Sequence, residues 1–375
     1  MSFGVYVHVP FCAHRCDYCD FATWTDRAHL IDEYVEACIV DLDRRQASTD
    51  RAATSVFFGG GTPSLLPPQH LARLLGAINR TPNAEVTVEC NPDSVDAHKL
   101  ATYADAGVNR LSFGVQSMVP HVLAGLGRTH DPANVERSIR LARAAGFARI
   151  NVDLIYGTPG ESLDDWRRSL DEVLALGVEH VSAYALTVEP ATPLGRAVAA
   201  GVRPAPDDDG QADAYALADE VLTAAGFAWY EVSNWAQPGE ACRHNLLYWQ
   251  EGEYLGIGCA AHGHTNGRRW WNVRAPERYC AAVQRGSSPE AGGEELPPAR
   301  RAEEAFSLAL RTRAGARPAP GASACVDDLH EAGLCDQRDG RIVLTRRGRL
   351  LASDVTARLL LAGAAETAPE SAGTR

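Results

Sequence analysis

The start of the chain combines a strand pattern with a helix pattern. Val5, Val7 and Val9 lie in an apolar, β-branched run that predicts a short buried strand. Pro10 ends this strand, because proline cannot donate to a β-ladder. The segment 31–42 then has apolar residues at helical spacing, which predicts a helix.

The same pair of patterns repeats along the first half of the chain. Further strands are predicted at 55–58, 86–89, 110–114, 150–155 and 180–185, with helices through 71–78, 94–106, 131–145 and 162–176. Including the first pair, this makes six βα units. Such alternation implies an α/β fold with a parallel sheet and right-handed crossovers, in which ligands collect at the C-terminal ends of the strands.

A group of three cysteines follows the first strand. Cys12, Cys16 and Cys19 can surround one small inorganic centre, and a [4Fe-4S] cubane ordinarily takes four cysteine ligands. The next cysteine is Cys38, so one iron would stay open for an exogenous ligand. Zinc, with a nearby histidine as the fourth ligand, is an alternative, although no second pair of close-spaced ligands is present.

The ends of the next strands are also unusual. They have the sequences GGGTP at 59–63, ECNP at 89–92, SFGVQ at 112–116, and Asp153 before YGTPG at 156–160. Each could be only a turn, with glycine and proline as punctuation. Polar residues at successive strand ends nevertheless favour a shared ligand site.

Together, YVHVPFCAHRCDYCDF, GGGTPS, ECNP, RLSFGVQS and NVDLIYGTPG resemble the radical S-adenosylmethionine family and, within it, the oxygen-independent coproporphyrinogen III oxidase-like branch. The resemblance implies an incomplete (β/α)6 barrel. It also implies a [4Fe-4S] cluster on Cys12, Cys16 and Cys19, whose free iron is chelated by S-adenosylmethionine. The chemistry so implied is one-electron reduction of the sulfonium to methionine and a 5'-deoxyadenosyl radical. The positions that match contacts to this cofactor are Tyr6, Tyr18, Gly60, Gly61, Thr62, Glu89, Gln116, Arg128 and Asp153.

Two groups within this branch differ near the cysteines. The oxidases add a cysteine directly after the triad and have an extension before the first strand. This chain has Asp20 and Phe21 after the triad and begins five residues before Tyr6. In both respects it resembles the heme chaperones related to those oxidases.

A second segment, CRHNLLYW at 242–249, resembles the sequence that these chaperones associate with heme. The resemblance implies heme contacts from His244, Tyr248 and Trp249. This is chemically apt, since an imidazole offers an axial nitrogen and aromatic rings offer flat apolar faces. A histidine and asparagine before two aromatic residues can also be core or turn. The rival iron ligands are His262, His264, Cys242 and Cys259.

The last quarter of the chain predicts a separate module. Residues 286–299 are rich in Gly, Pro, Ser and Glu and predict a linker. A helix at 300–311, a segment at 324–333, a hairpin turning at Asp339 and Gly340, and a helix at 345–361 then resemble a winged-helix-like α+β module. The predicted division is a partial barrel at 1–230, a heme segment completing the barrel mouth at 231–290, the module at 291–361 and a disordered tail at 362–375.

Composition excludes some classes of function and partner for this protein. A net charge of −12 over 375 residues argues against nucleic acid as a partner, and no apolar run approaches a membrane span. Ten cysteines without a signal-peptide pattern predict a cytoplasmic protein. We therefore predict a heme chaperone with a cluster, S-adenosylmethionine and a protein acceptor for heme. The alternatives are a coproporphyrinogen III oxidase and a zinc-stapled binding protein, so whether the chain is an enzyme stays open.

Overall fold

The computed structural model describes residues 2–128 and 130–365. The strands are β1 (Phe3–Val9), β2 (Ala53–Gly60), β3 (Arg80–Cys90), β4 (Arg110–Gln116), β5 (Ile150–Tyr156), β6 (His180–Ala185), β7 (Ala228–Glu231), β8 (Asn234–Ala236), β9 (Glu253–Ile257), β10 (His262–Thr265), β11 (Arg268–Asn272), β12 (Glu290–Glu295), β13 (Cys335–Arg338) and β14 (Arg341–Leu344). The α-helices are α1 (Ile31–Gln46), α2 (Pro68–Ala77), α3 (Ala97–Ala106), α4 (Pro120–Gly125), α5 (Pro132–Ala144), α6 (Leu163–Ala175), α7 (Pro193–Ala199), α8 (Asp208–Ala224), α9 (Arg243–Trp249), α10 (Pro276–Gln284), α11 (Pro298–Leu310), α12 (Ser323–Glu331), α13 (Arg346–Leu350) and α14 (Ala352–Ala365).

The first six strands confirm the predicted βα alternation. They pair in sequence order, each parallel to the next. β5 is an example of how the residues of these strands alternate between two faces. Ile150, Val152 and Leu154 are fully buried on one face, and Asn151 and Asp153 lie on the other. This second face carries the polar side chains, so the polar residues of neighbouring strands share one side of the sheet.

The sheet continues past β1 through β9, β10, β11 and β12, and past β6 to β8. Within the described residues its end strands do not pair with each other, so the sheet is open and the barrel incomplete. β9 lies parallel to β1, whereas β9 to β12 pair antiparallel with one another. These last strands have only four to six residues each, which explains why periodicity did not reveal them.

The linker predicted at 286–299 is wrong, because β12 lies inside it and pairs with β11. Two glycines in β12 make room for large side chains of its neighbour. A Cβ on Gly292 would lie 2.6 Å from the Trp271 indole, and one on Gly293 would lie 2.8 Å from the Arg268 guanidinium. Arg268 also pairs with Glu290 at 2.8 Å. The glycine and glutamate residues that suggested a flexible segment therefore belong to an edge strand.

The described residues fall into two compact units. The first contains residues up to 228, 235–247 and 252–295, and the second contains 229–234, 248–251 and the residues from 296 onward. This division concerns compactness only. The functional boundaries predicted at 230, 290 and 361 stay predictions.

The second unit has the element order predicted for a winged-helix-like module: two helices, a hairpin, and a C-terminal helical segment. Its own core includes Leu310, Leu329 and Val355. The single helix predicted at 345–361 is instead two helices, because Leu351 leaves the helical region at φ −109° and ψ 22°. The helix α14 continues through Ala365, so residues 362–365 of the predicted tail are helical and the rest of that tail lies outside the described residues. No helix in the described part of the chain is long and apolar enough to cross a membrane.

Candidate functional site

The cysteine loop between β1 and α1 is fixed by backbone hydrogen bonds. The Cys12 N–H donates to the Trp24 carbonyl at 3.0 Å, and the Trp24 N–H donates to the Pro10 carbonyl at 2.8 Å. Further along, the Asp17 N–H donates to the Leu126 carbonyl at 3.2 Å. The loop is therefore closed at its base and attached to the segment after β4.

The three loop thiols are half-buried and face polar neighbours. The Thr62 hydroxyl lies 3.6 Å from the Cys12 sulfur, and the Arg128 guanidinium lies 3.5 Å from the Cys16 sulfur. Burial is the main cause that raises the pKa of both Cys12 and Cys19. A bound metal centre would supply the positive charge that stabilises these groups as thiolates. In the described part of the chain, no three His, Cys, Asp or Glu side chains converge closely enough to hold a single metal ion.

The loop forms one wall of a cavity of about 680 Å³ at the C-terminal ends of β2 to β6. Most of the site residues predicted from the sequence line this cavity, although they come from separate strands. Those brought together are Cys12, Cys16, Tyr18, Cys19, Gly60, Gly61, Thr62, Glu89, Gln116, Arg128 and Asp153.

Two glycines at the end of β2, Gly60 and Gly61, let the strand end approach the cysteine loop. A Cβ on Gly61 would lie 2.7 Å from the Phe11 carbonyl oxygen and 3.0 Å from the Cys12 sulfur. Gly60 adopts φ +112°, and a Cβ there would lie 2.5 Å from the His8 ring. Side chains at these positions would fill the space between the loop and the strand end.

Two buried carboxyl groups, Glu89 and Asp153, line the cavity. Burial, and then the charge of Asp153, raise the pKa of Glu89 to about 8. Burial also raises the pKa of Asp153, although Ser112 and Asn151 donate to its carboxylate at 2.8 and 2.9 Å. An ammonium group or ribose hydroxyls placed between these acids would stabilise the charged form of both carboxyl groups.

Several buried polar atoms at the cavity have no hydrogen-bond partner. They include Gln116 Oε1 and Arg128 Nε, although Arg128 also donates to the Gly114 carbonyl at 2.6 Å. Gln116 adopts φ +62°, an uncommon conformation for a side chain of this size and one that is characteristic of ligand sites. Three thiols, two acids, open glycine backbone and unsatisfied polar atoms together fit an iron-sulfur cluster with S-adenosylmethionine.

The sequence did not single out His130, which also lines this cavity. Its ring is buried, and neither ring nitrogen has a hydrogen-bond partner. Burial, followed by the charge of Arg128, lowers its pKa to about 4, so the ring is neutral at pH 7. The one available signal was its position two residues after Arg128, and the sequence does not distinguish that position from an ordinary turn.

Tyr6 lies outside the cavity lining, although the sequence placed it among the cofactor contacts. Its hydroxyl is 3.1 Å from His8 Nδ1, and its ring stacks on Phe57 with centroids 6.3 Å apart. Tyr6 therefore lies on the same face of β1 as His8 and contacts its neighbours in the sheet.

The predicted heme residues do not line this cavity either. His244 is 1% exposed, its Nδ1 lies 2.9 Å from the Ser55 hydroxyl, and its ring stacks on Phe57 at 5.4 Å. Burial lowers its pKa to about 3. Tyr248 and Trp249 are half-buried at the C-terminal end of α9.

The rival iron ligands differ in accessibility. Cys242 and Cys259 are buried, at 3.4 Å from a Glu85 carboxylate oxygen and 3.5 Å from the Tyr34 hydroxyl, respectively. His264 is 8% exposed, with Nδ1 at 3.1 Å from the Gly252 carbonyl. His262 is exposed and its ring lies 5.9 Å from that of Trp271.

Cysteines on a loop above the polar ends of parallel strands define the radical S-adenosylmethionine class of protein. In agreement, the model of the Radical SAM superfamily matches residues 6–173. Among solved structures, coproporphyrinogen III oxidase (HemN) from Escherichia coli has the same fold, with a TM-score of 0.82 at 21% identity over 96% of this chain and 90% of that one.

Sequence relatives identify the branch. The chain is 46% identical to heme chaperone HemW of Mycobacterium tuberculosis (strain H37Rv) over 371 residues, which is 96% of this chain and 95% of the relative. It is 34% identical to heme chaperone HemW of Bacillus subtilis, over 94% and 97% of the two chains. The chain belongs to the HemW family. Membership of the radical SAM superfamily implies S-adenosylmethionine and a [4Fe-4S] cluster as cofactors. The resemblance to this family that the sequence motifs predicted is therefore confirmed.

Proposed function

We propose that this protein is a heme chaperone that holds a [4Fe-4S] cluster and S-adenosylmethionine in the cavity and delivers heme to an acceptor protein. Support comes from two relatives named heme chaperones that match over nearly the full length at 46% and 34% identity. The cavity supports the cofactor part of the proposal independently of those names.

Cys12, Cys16 and Cys19 are the proposed cluster ligands. When bound, the cluster supplies the electron that reduces the sulfonium of S-adenosylmethionine. Glu89 and Asp153 would accept hydrogen bonds from the ammonium group and hydroxyls of this molecule, and the half-buried position of the loop limits access of water. The remaining proposed contacts are Tyr6, Tyr18, Gly60, Gly61, Thr62, Gln116 and Arg128.

One observation supports these assignments most: residues chosen from six separate parts of the sequence line a single cavity. The test is anaerobic reconstitution followed by iron analysis of a cysteine variant and a matched control. Cys16→Ser should lose the cluster, whereas Cys325→Ser, also half-buried but far along the chain, should keep about four irons per chain. A full complement of iron in Cys16→Ser would contradict the ligand assignment.

His244, Tyr248 and Trp249 are the proposed heme contacts. To ligate iron, the His244 ring would have to leave its stacking position on Phe57 and its contact with Ser55. His244→Ala should therefore shift the Soret band if His244 is an axial ligand. If the ring is only a core residue, this variant should lower the unfolding midpoint without a spectral change, at a cost of about 1–3 kcal/mol from the unpaired partner. His98→Ala, at an exposed position on α3, is the control.

The oxidase alternative requires turnover of coproporphyrinogen III. The likeness to the Escherichia coli oxidase, at 21% identity, supports the fold alone. We propose that the reconstituted protein forms no protoporphyrinogen IX at catalytic turnover. Product formation over many cycles in an anaerobic assay would favour the oxidase instead.

A further inference from the structure

Two aromatic side chains are exposed in a protein that otherwise covers its aromatic rings. The chain has seven Trp, eleven Tyr and nine Phe, and the structure describes all of them. Only Phe21 and Tyr184 are exposed, at 66% and 42%, and the others are buried or half-buried. An exposed aromatic ring forgoes the favourable free energy of burial, so two exposed rings that line one cavity point to a ligand surface.

Both rings line the cavity that holds the cysteine triad. Phe21 lies two residues after Cys19 on the cysteine loop, and Tyr184 lies near the end of β6. Since they are the most exposed aromatic residues of the lining, they belong to its solvent-facing mouth. The cavity floor, by contrast, contains the acids Glu89 and Asp153.

A cation lies on the same loop as Phe21. Arg15 is exposed, lines the cavity, and its guanidinium is 3.4 Å from the Cys19 carbonyl oxygen. Asp20 and Glu189 also line the cavity, so the mouth is not a general anion site. Flat apolar rings beside one guanidinium match a planar apolar ligand that carries carboxylates at its edge.

We propose that heme docks across this mouth, with a porphyrin face against Phe21 and Tyr184 and a propionate paired with Arg15. This inference rests on the proposed function, because it takes heme as the ligand, and it adds a docking position for heme apart from the proposed contacts His244, Tyr248 and Trp249. Docking here places heme over the cofactor cavity, so bound heme should slow the release of S-adenosylmethionine.

The experiment measures hemin affinity from the Soret band of the reconstituted protein. Phe21→Ala should weaken hemin binding about tenfold, and Phe21→Trp should restore it, because the indole keeps a flat apolar face. Val202→Ala removes part of a side chain that is 76% exposed elsewhere and should leave affinity unchanged. Equal iron content and unfolding midpoints across the variants would show that the fold and cluster are intact.

The propionate contact and the position over the cavity are tested separately. Arg15→Ala should weaken hemin binding but leave the affinity for hemin dimethyl ester, which lacks free carboxylates, unchanged. Hemin should slow the dissociation of labelled S-adenosylmethionine from the wild type, and Phe21→Ala should remove this slowing. If wild type binds hemin but Phe21→Ala and Arg15→Ala bind it equally well, the mouth site is wrong and the proposed function stands. If wild type does not bind hemin at all, the proposed function itself fails.

Discussion

Gly61→Ala is expected to disrupt the junction between β2 and the cysteine loop. The Gly61 N–H donates to the Val9 carbonyl at 2.7 Å, so this backbone position is held against the end of β1. A Cβ would lie 2.7 Å from the Phe11 oxygen, 2.9 Å from the Val9 oxygen and 3.0 Å from the Cys12 sulfur. Two of these atoms are backbone oxygens, so they can move only if the strand end and the loop move with them.

The loss of stability expected in Gly61→Ala follows from this overpacking. Forcing one methyl group into a packed site costs typically about 1–3 kcal/mol, and the upper part of this range applies where backbone must move. Gly76→Ala is a matched control that should change the free energy of unfolding in the opposite direction. Gly76 lies in the last turn of α2 and a Cβ there meets nothing within 4 Å, so helix propensity should stabilise that variant by up to about 1 kcal/mol.

Urea unfolding of the apo proteins measures the two free energies, and iron analysis after reconstitution measures the cluster. We expect Gly61→Ala to lower the urea midpoint and the iron content together, because the Cys12 sulfur is one of the three clashing atoms. Gly76→Ala should raise or preserve the midpoint at full iron content. A wild-type midpoint and full iron content in Gly61→Ala would refute the packing argument.

Three further predictions concern stability. The pKa of Glu89 is raised to about 8 from 4.5, so the folded apo protein holds a proton that the unfolded chain releases. The free energy of unfolding should therefore decrease as the pH rises from about 4.5 to 8, by up to about 1.4 kcal/mol per pH unit. Urea unfolding at several pH values measures this decrease, which should be smaller in Glu89→Gln because the variant has no carboxyl group to titrate. Asp96→Ala removes the N-cap that accepts from the Lys99 N–H at 2.8 Å and should cost about 1 kcal/mol by urea unfolding, whereas an unchanged midpoint would argue against a capping role. Trp166→Phe removes a buried hydrogen bond to the Ala214 carbonyl at 2.9 Å, and we expect a loss of about 1–3 kcal/mol, with thermal unfolding as the check.

The cysteine loop could be predicted because its signal is local. Cys12, Cys16 and Cys19 lie within eight residues, so their spacing alone limits how far apart the thiols can be. The polar strand ends were predictable for a related reason: parallel strands place all their C-terminal ends at one edge of the sheet. Glu89 and Asp153 are therefore neighbours although 64 positions separate them.

His244 shows where this reasoning stops. Its neighbours in the chain suggested an imidazole that ligates heme iron, with a core or turn position as the alternative, and the structure buries its ring against Ser55 and Phe57 of β2. Burial depends on which elements pack together, and no local pattern near His244 encodes a contact 189 positions away. The exposure of Phe21 could not be predicted for the same reason, since a phenylalanine is ordinarily assigned to the core.

The extra strands beside β1 show a second limit. β12 has the sequence EAGGEE, which has neither β-branched residues nor an apolar alternation. Its pairing depends on β11, whose Trp271 and Arg268 occupy the space above Gly292 and Gly293. An edge strand of this kind is stabilised by cross-strand partners and not by its own propensity.

The sequence by itself determined the βα alternation, the cysteine loop after the first strand and the polar strand ends, because hydrophobic periodicity and short spacings act within a few residues. Only the tertiary structure decided the breadth of the open sheet, the burial of His244, the unsatisfied ring of His130 and the exposed pair Phe21 and Tyr184. Each of these depends on contacts between distant segments, and the free energy of such contacts is set by packing that the local sequence does not specify.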